Sequence, residues 1–257
     1  MNKKLGIIGC EDAEKWGGPE GCRSMIPMFR DHADEKVEYF MATEGNLPDP
    51  ERLVEYKGFI LSGSHYSVND THTWVAELEK FIQDVYRFQE NNKQHSPKLV
   101  GICFGHQMMA KAAGVKVGKN ELGKFIFGLG KIDVSVDVKE KDFYKDVLGN
   151  DDAFVMFQSH GEEVKDIPRD TMTTVKCVGS SDKCQNEILL FGDDGECGLS
   201  FQGHMEITTD QCMEKILPAI KKAGLYSEQD EIEMKEQLLS MTNQREQIVE
   251  VIKDYLR

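Results

Sequence analysis

Apolar positions come in short unbroken runs over the first hundred residues: Leu5-Gly6-Ile7-Ile8 within 4–9, then 37–40, 58–61 and 98–102. Runs of this length without polar alternation read as strands buried on both faces of a parallel sheet. Helical stretches such as 74–90 separate them. Strand and helix in alternation require βαβ crossovers, hence an α/β fold with an open, mostly parallel twisted sheet and helices on both faces. Beyond the helix that follows Cys103 the pattern changes. Segments 130–138, 153–158, 172–178, 187–191 and 198–201 are strand-rich with few helical patterns between them, which predicts an additional mixed or antiparallel strand region.

The last part of the chain follows a third pattern. Residues 1–225 read as one domain and 226–257 as a C-terminal amphipathic helical extension. In the extension Ile232, Leu238, Leu239, Met241, Ile248, Val251, Ile252 and Leu256 fall largely at helical spacing, with Glu, Lys, Gln and Arg between them. One long helix or two shorter ones fit. Packing on its own domain and contact with a partner both remain open.

Composition narrows the class. A chain of 257 residues can bury a full core. Its net charge of −14, without a basic cluster, argues against nucleic acid or an anionic membrane as partner. Met1-Asn2-Lys3-Lys4 leads directly into the first apolar run, which is too short for a signal peptide or a membrane span, so a cytoplasmic location is expected. The seven cysteines lack the dense even spacing of a disulfide scaffold. No C-x-x-C pair is present, so no zinc site and no other metal or cofactor is expected.

The chemistry concentrates in Leu99-Val100-Gly101-Ile102-Cys103-Phe104-Gly105-His106-Gln107, where an apolar strand runs into a glycine-flanked cysteine and on into a helix. This is the strand–turn–helix elbow that exposes a nucleophile, with cysteine in the serine position. Gly101 and Gly105 allow a sharp turn and close approach of neighbouring elements. A helix starting at Cys103 sets its sulfur near unpaired N–H groups and the positive end of the dipole, which favours thiolate. A buried structural cysteine between glycines fits an isolated G-x-C-x-G equally well. A cysteine nucleophile needs an oriented base, and Gly203-His204-Met205-Glu206 offers one. In extended backbone residues 204 and 206 share a side, so Glu206 can fix the tautomer of His204 and stabilise its imidazolium. Ser62-Gly63-Ser64 closes an apolar strand at its C-terminal end, where open α/β sheets place their ligands and backbone amides can meet an oxyanion. Trp16-Gly17-Gly18-Pro19-Glu20-Gly21 reads as a glycine-rich rim loop, since it lacks the lysine and spacing of a phosphate cradle.

Taken together, Leu61-Ser62-Gly63-Ser64, then Gly101 to Gln107, then His204-Met205-Glu206, in that order over most of 4–222, resemble a class I glutamine amidotransferase domain. The resemblance implies a flavodoxin-like sheet and a catalytic set of Cys103 as nucleophile, His204 as base and Glu206 as orienting acid. It further implies an oxyanion hole from the amides of Phe104 and of Gly63 or Ser64, with Gln107, Ser159 and His160 against a glutamyl head. The implied reaction is hydrolysis of the γ-glutamyl amide of glutamine or of γ-glutamyl peptides through a glutamyl thioester. The stretch from Gly63-Ser64-His65 to Asp70 is closer to stand-alone γ-glutamyl peptidase-like members than to the Gly-Gly-Pro loop of synthase-linked ones, and 157–164 points the same way. The substrate is then a small γ-glutamyl compound. A glutaminase subunit delivering ammonia to a separate synthetase is the alternative, a homo-oligomer is open, and a non-catalytic regulatory binding protein is a third reading.

Overall fold

A computed structural model describes residues 3–92 and 96–257, with the side chain of Leu239 and the Met1-Asn2 start left outside. Among the described residues eleven strands follow in chain order: β1 (Lys4–Gly9), β2 (Val37–Met41), β3 (Tyr56–Leu61), β4 (Lys98–Ile102), β5 (Val117–Lys119), β6 (Ile126–Val134), β7 (Ala153–His160), β8 (Glu162–Val164), β9 (Val175–Ser180), β10 (Ile188–Phe191) and β11 (Gly198–Phe201). Nine of them form one sheet in the order β2-β1-β3-β4-β11-β10-β9-β6-β7. From β2 to β11 neighbours are parallel, and from β11 to β7 antiparallel. The fold is thus α/β, with a parallel half joined to an antiparallel half through β11. The pair β5 and β8 makes a separate two-stranded ribbon that the apolar pattern does not show.

Each parallel strand is buried on both faces because its alternate residues belong to different cores. Leu5, Ile7, Ile60, Val100 and Ile102 lie in one cluster, and Ile8, Phe59, Leu61 and Leu99 in the other. Helices Thr73–Asn91 and Phe104–Ala112 cover the second face. The first is covered by Met25–Phe29, Asp142–Leu148 and Arg245–Leu256.

Some boundaries differ from the sequence reading. The strand expected at 130–138 is β6, displaced toward the N-terminus, and Val136–Lys139 is a short helix. The segment expected at 172–178 begins later, at Val175. The supposed rim loop is a 3-10 turn, Glu14–Trp16, followed by helix Gly18–Arg23, with Gly17 and Gly18 at φ 105° and 56°. The C-terminal segment forms two helices, Glu228–Ser240 and Arg245–Leu256. Both pack on the domain: Met234 joins Phe127, Leu129 and Phe157, and Ile248, Ile252 and Leu256 join the core of the parallel half. Ile232 is half exposed. Among the described residues no helix is long and apolar enough to cross a membrane.

Candidate active site

The C-terminal edge of the parallel strands gathers the motif residues. β4 ends at Ile102, and Cys103 turns the chain at φ 48°, ψ −100° into helix Phe104–Ala112. It is the one non-glycine residue with positive φ among the described residues. Such a conformation costs on the order of 1–3 kcal/mol and persists only where its surroundings impose it. They do so here through three backbone bonds: Cys103 N–H to Phe201 O (2.8 Å), Gly105 N–H to Ser62 O (3.2 Å) and Gln107 N–H to Cys103 O (3.0 Å). The flanking glycines answer to packing. A Cβ on Gly101 would lie 2.6 Å from the Gly105 carbonyl carbon, and one on Gly105 2.6 Å from Leu61 O. Strand, helix and the neighbouring β3 therefore meet backbone to backbone at the elbow.

β11 lies beside β4 in parallel register and delivers the imidazole from the other half of the sheet. His204 donates its N–H to Phe157 O (2.7 Å) in an isolated bridge, and its Nδ1 stands 2.6 Å from Glu206 Oε1. Burial works against a charge on His204, but the Glu206 carboxylate and the Cys103 sulfur outweigh it and hold the imidazole well above its usual range.

The turn after β3 closes the third side. A Cβ on Gly63 would meet His204 Cε1 at 3.0 Å and Cys103 Cβ at 3.6 Å, so this backbone lies against both groups because it has no side chain. The amides of Gly63 and Ser64 find no acceptor among the described residues, and Phe104 N–H is one of the first-turn donors a helix leaves unpaired. Three N–H groups, those of Gly63, Ser64 and Phe104, thus stay unpaired in the two turns that flank Cys103.

The family model "Glutamine amidotransferase class-I" matches residues 32–219. The chain belongs to the class-I glutamine amidotransferase family. Membership makes it a hydrolase-type enzyme. Gamma-glutamyl peptidase 2 of Arabidopsis thaliana is 31% identical over 195 residues, 76% of this chain and 71% of that one. A glutamine-hydrolyzing GMP synthase of Wolbachia pipientis is 30% identical over 119 residues, 46% of this chain and 21% of that one. Among solved structures, a glutamine amidotransferase from Thermotoga maritima superposes with a TM-score of 0.68 at 20% identity, over 99% of this chain and 97% of the other, which establishes the fold.

Within this amidotransferase fold the residues expected at a glutamyl head are largely enclosed. Ser159 is half buried, with its carbonyl oxygen 3.9 Å from Cys103 Sγ. Gln107 is 4% exposed and donates Nε2–H to Glu162 O (2.9 Å) and to Gln202 Oε1 (3.1 Å). His160 is buried with Nδ1 3.0 Å from Glu162 O, and burial pushes its pKa down to about 4, with the charge on His204 adding to the effect. Sequence reasoning missed Gln202, whose Nε2 lies 3.6 Å from Cys103 Sγ. It also passed over Glu11, which accepts from the backbone N–H of His65 and Ala13 and pairs with His65 Nδ1 at 2.8 Å beside the Gly63 turn. Glu11, Asp12 and His65 group closely, but Glu11 and His65 already bond to each other and Asp12 accepts from Tyr66 Oη.

Proposed function

We propose that this chain is a cysteine amide hydrolase acting on the γ-glutamyl amide of glutamine or γ-glutamyl peptides, without an obligatory partner. The observation that carries the reading is the convergence of a strained Cys103, the His204–Glu206 pair and three unspent amides at one sheet edge. His204 takes the proton of Cys103 through Nε2, since Nδ1 is engaged by Glu206. The thiolate attacks the γ-carbonyl carbon, and the amides of Phe104 and of Gly63 or Ser64 receive the negative oxygen. As the C–N bond breaks, the imidazolium returns its proton to the leaving amine. Water, deprotonated by His204, then attacks the glutamyl thioester, the C–S bond breaks, and glutamate leaves. Gln107 and Ser159 border the glutamyl head, and His160 shapes the wall behind it.

The preference for γ-glutamyl peptides rests on the likeness to γ-glutamyl peptidase 2 over most of both chains, beside the shorter match to a GMP synthase. That shorter match supports the second reading, a glutaminase whose ammonia goes to a separate synthetase. Purified protein assayed on glutamine and a panel of γ-glutamyl peptides, with Cys103→Ala alongside, separates the two. Amine release from peptides that vanishes in the variant is the expected result. Silence on every substrate, reversed only by adding a synthetase, would replace the first reading with the second.

A further inference from the structure

Two polar groups stand close to Cys103 Sγ with opposite effects on a negative charge there. The Ser159 carbonyl at 3.9 Å is an acceptor and opposes a thiolate. The side-chain amide of Gln202 at 3.6 Å is a donor. Gln202 follows Phe201, whose carbonyl takes the Cys103 N–H, so parallel register sets residues 202 and 103 side by side at the strand ends. Its backbone is pinned in turn by Gln202 N–H to Glu187 O (2.8 Å).

The amide at 202 also has a fixed sense. Glu162 O is a backbone carbonyl and can only accept, so the end of Gln107 facing it must be NH2. That same NH2 faces Gln202, whose near end must then be the carbonyl oxygen. What remains toward the sulfur is Gln202 Nε2–H. Gln202 is wholly buried and Gln107 nearly so, and buried amides are costly unless both ends are bonded, which holds the chain of donors in one direction.

From this geometry we propose that Gln202 is a further catalytic residue that donates to the Cys103 thiolate, with Gln107 as the positioning residue that sets its amide the right way round. The proposal rests on the reading of Cys103 as nucleophile. Neither a carboxylate nor an apolar side chain at 202 can take this part: the first sets like charge beside the thiolate, the second offers no donor. The N–H···S bond weakens when the sulfur becomes a neutral thioester, so its stabilisation acts on the resting thiolate and on the sulfur as it leaves.

The test is the rate of Cys103 alkylation by iodoacetamide, followed on the Cys103 peptide by mass, across pH for wild type, Gln202→Met, Gln202→Glu and Gln107→Leu. Loss of one hydrogen bond to a charged group predicts about tenfold slower alkylation near neutral pH for Gln202→Met, converging on wild type in strong alkali where every thiol is ionised. Gln202→Glu should be slower still and Gln107→Leu intermediate, with kcat falling in parallel and KM little changed. Coincident alkylation profiles for wild type and Gln202→Met would overturn the proposal. Should Gln202→Met fail to fold, Gln107→Leu carries the same comparison. Persistent hydrolysis in Cys103→Ala would instead overturn the reading of the nucleophile and leave the alkylation result standing on its own.

Discussion

At the scale of single residues, the site is a contest between burial and charge at His204. The imidazole is enclosed, yet Glu206 at 2.6 Å and the neighbouring sulfur keep its folded-state pKa well above the unfolded value. A raised pKa means that the charged imidazole contributes stability in full below about pH 6.5, the unfolded value, and that this contribution is lost as pH rises through the folded pKa. Glu206→Gln removes the outweighing charge and leaves burial, which lowers the pKa. Urea unfolding between about pH 5.5 and 9.5 should therefore show the variant less stable than wild type at the acid end, with the gap closing toward alkali. A gap that is constant or widens with pH would sink this account. Turnover should fall about a hundredfold or more, in line with loss of an oriented acid–base group.

At the scale of elements, the legible parts are those where one residue type repeats. The bounds of β1, β4 and β11 match the sequence reading because apolar residues filling both faces leave no room for a register error. The elbow was legible because Gly101 and Gly105 mark a backbone approach that no side chain tolerates. β6 was misplaced because Val134, Val136 and Val138 alternate like a strand, although the chain leaves the sheet after Val134 and enters a helical turn. Gly128 and Gly130 interrupt the apolar pattern where the strand actually runs. Gln202 was invisible because its partner Cys103 lies on another strand, and only the β4–β11 register brings the two together. The same holds for the last helix, since amphipathic spacing does not say which surface it covers. It covers the parallel half: Leu256 lies where a Cβ on Gly58 would be 2.6 Å away, and Tyr255 Oη donates to Gly195 O. Ile252 is fully buried there, so Ile252→Ala should cost about 2–5 kcal/mol in denaturant unfolding. Ile232→Ala, on the exposed face of the preceding helix, should stay within about 0.5 kcal/mol. Equal stability of the two variants would mean that the last helix adds nothing to the core.

For the whole molecule, the two halves of the sheet have different tasks. The parallel half ends its strands at one edge and presents Gly63, Ser64 and Cys103 there, while the antiparallel half returns through β10 and β11 to set His204 and Glu206 against them. Sequence-distant segments form the site because β11 sits between the halves, bonded to β4 on one side and β10 on the other. The central claim is that Cys103 carries the glutamyl group between two half-reactions. Its most direct test is to mix the enzyme with a γ-glutamyl ester bearing a good leaving group, quench in acid at short times and map the digested protein by mass. The account predicts a γ-glutamyl group on the Cys103 peptide, removed by hydroxylamine and appearing with a burst of leaving group. Steady release of glutamate with Cys103 unmodified throughout, or with the acyl group on another residue, would contradict it.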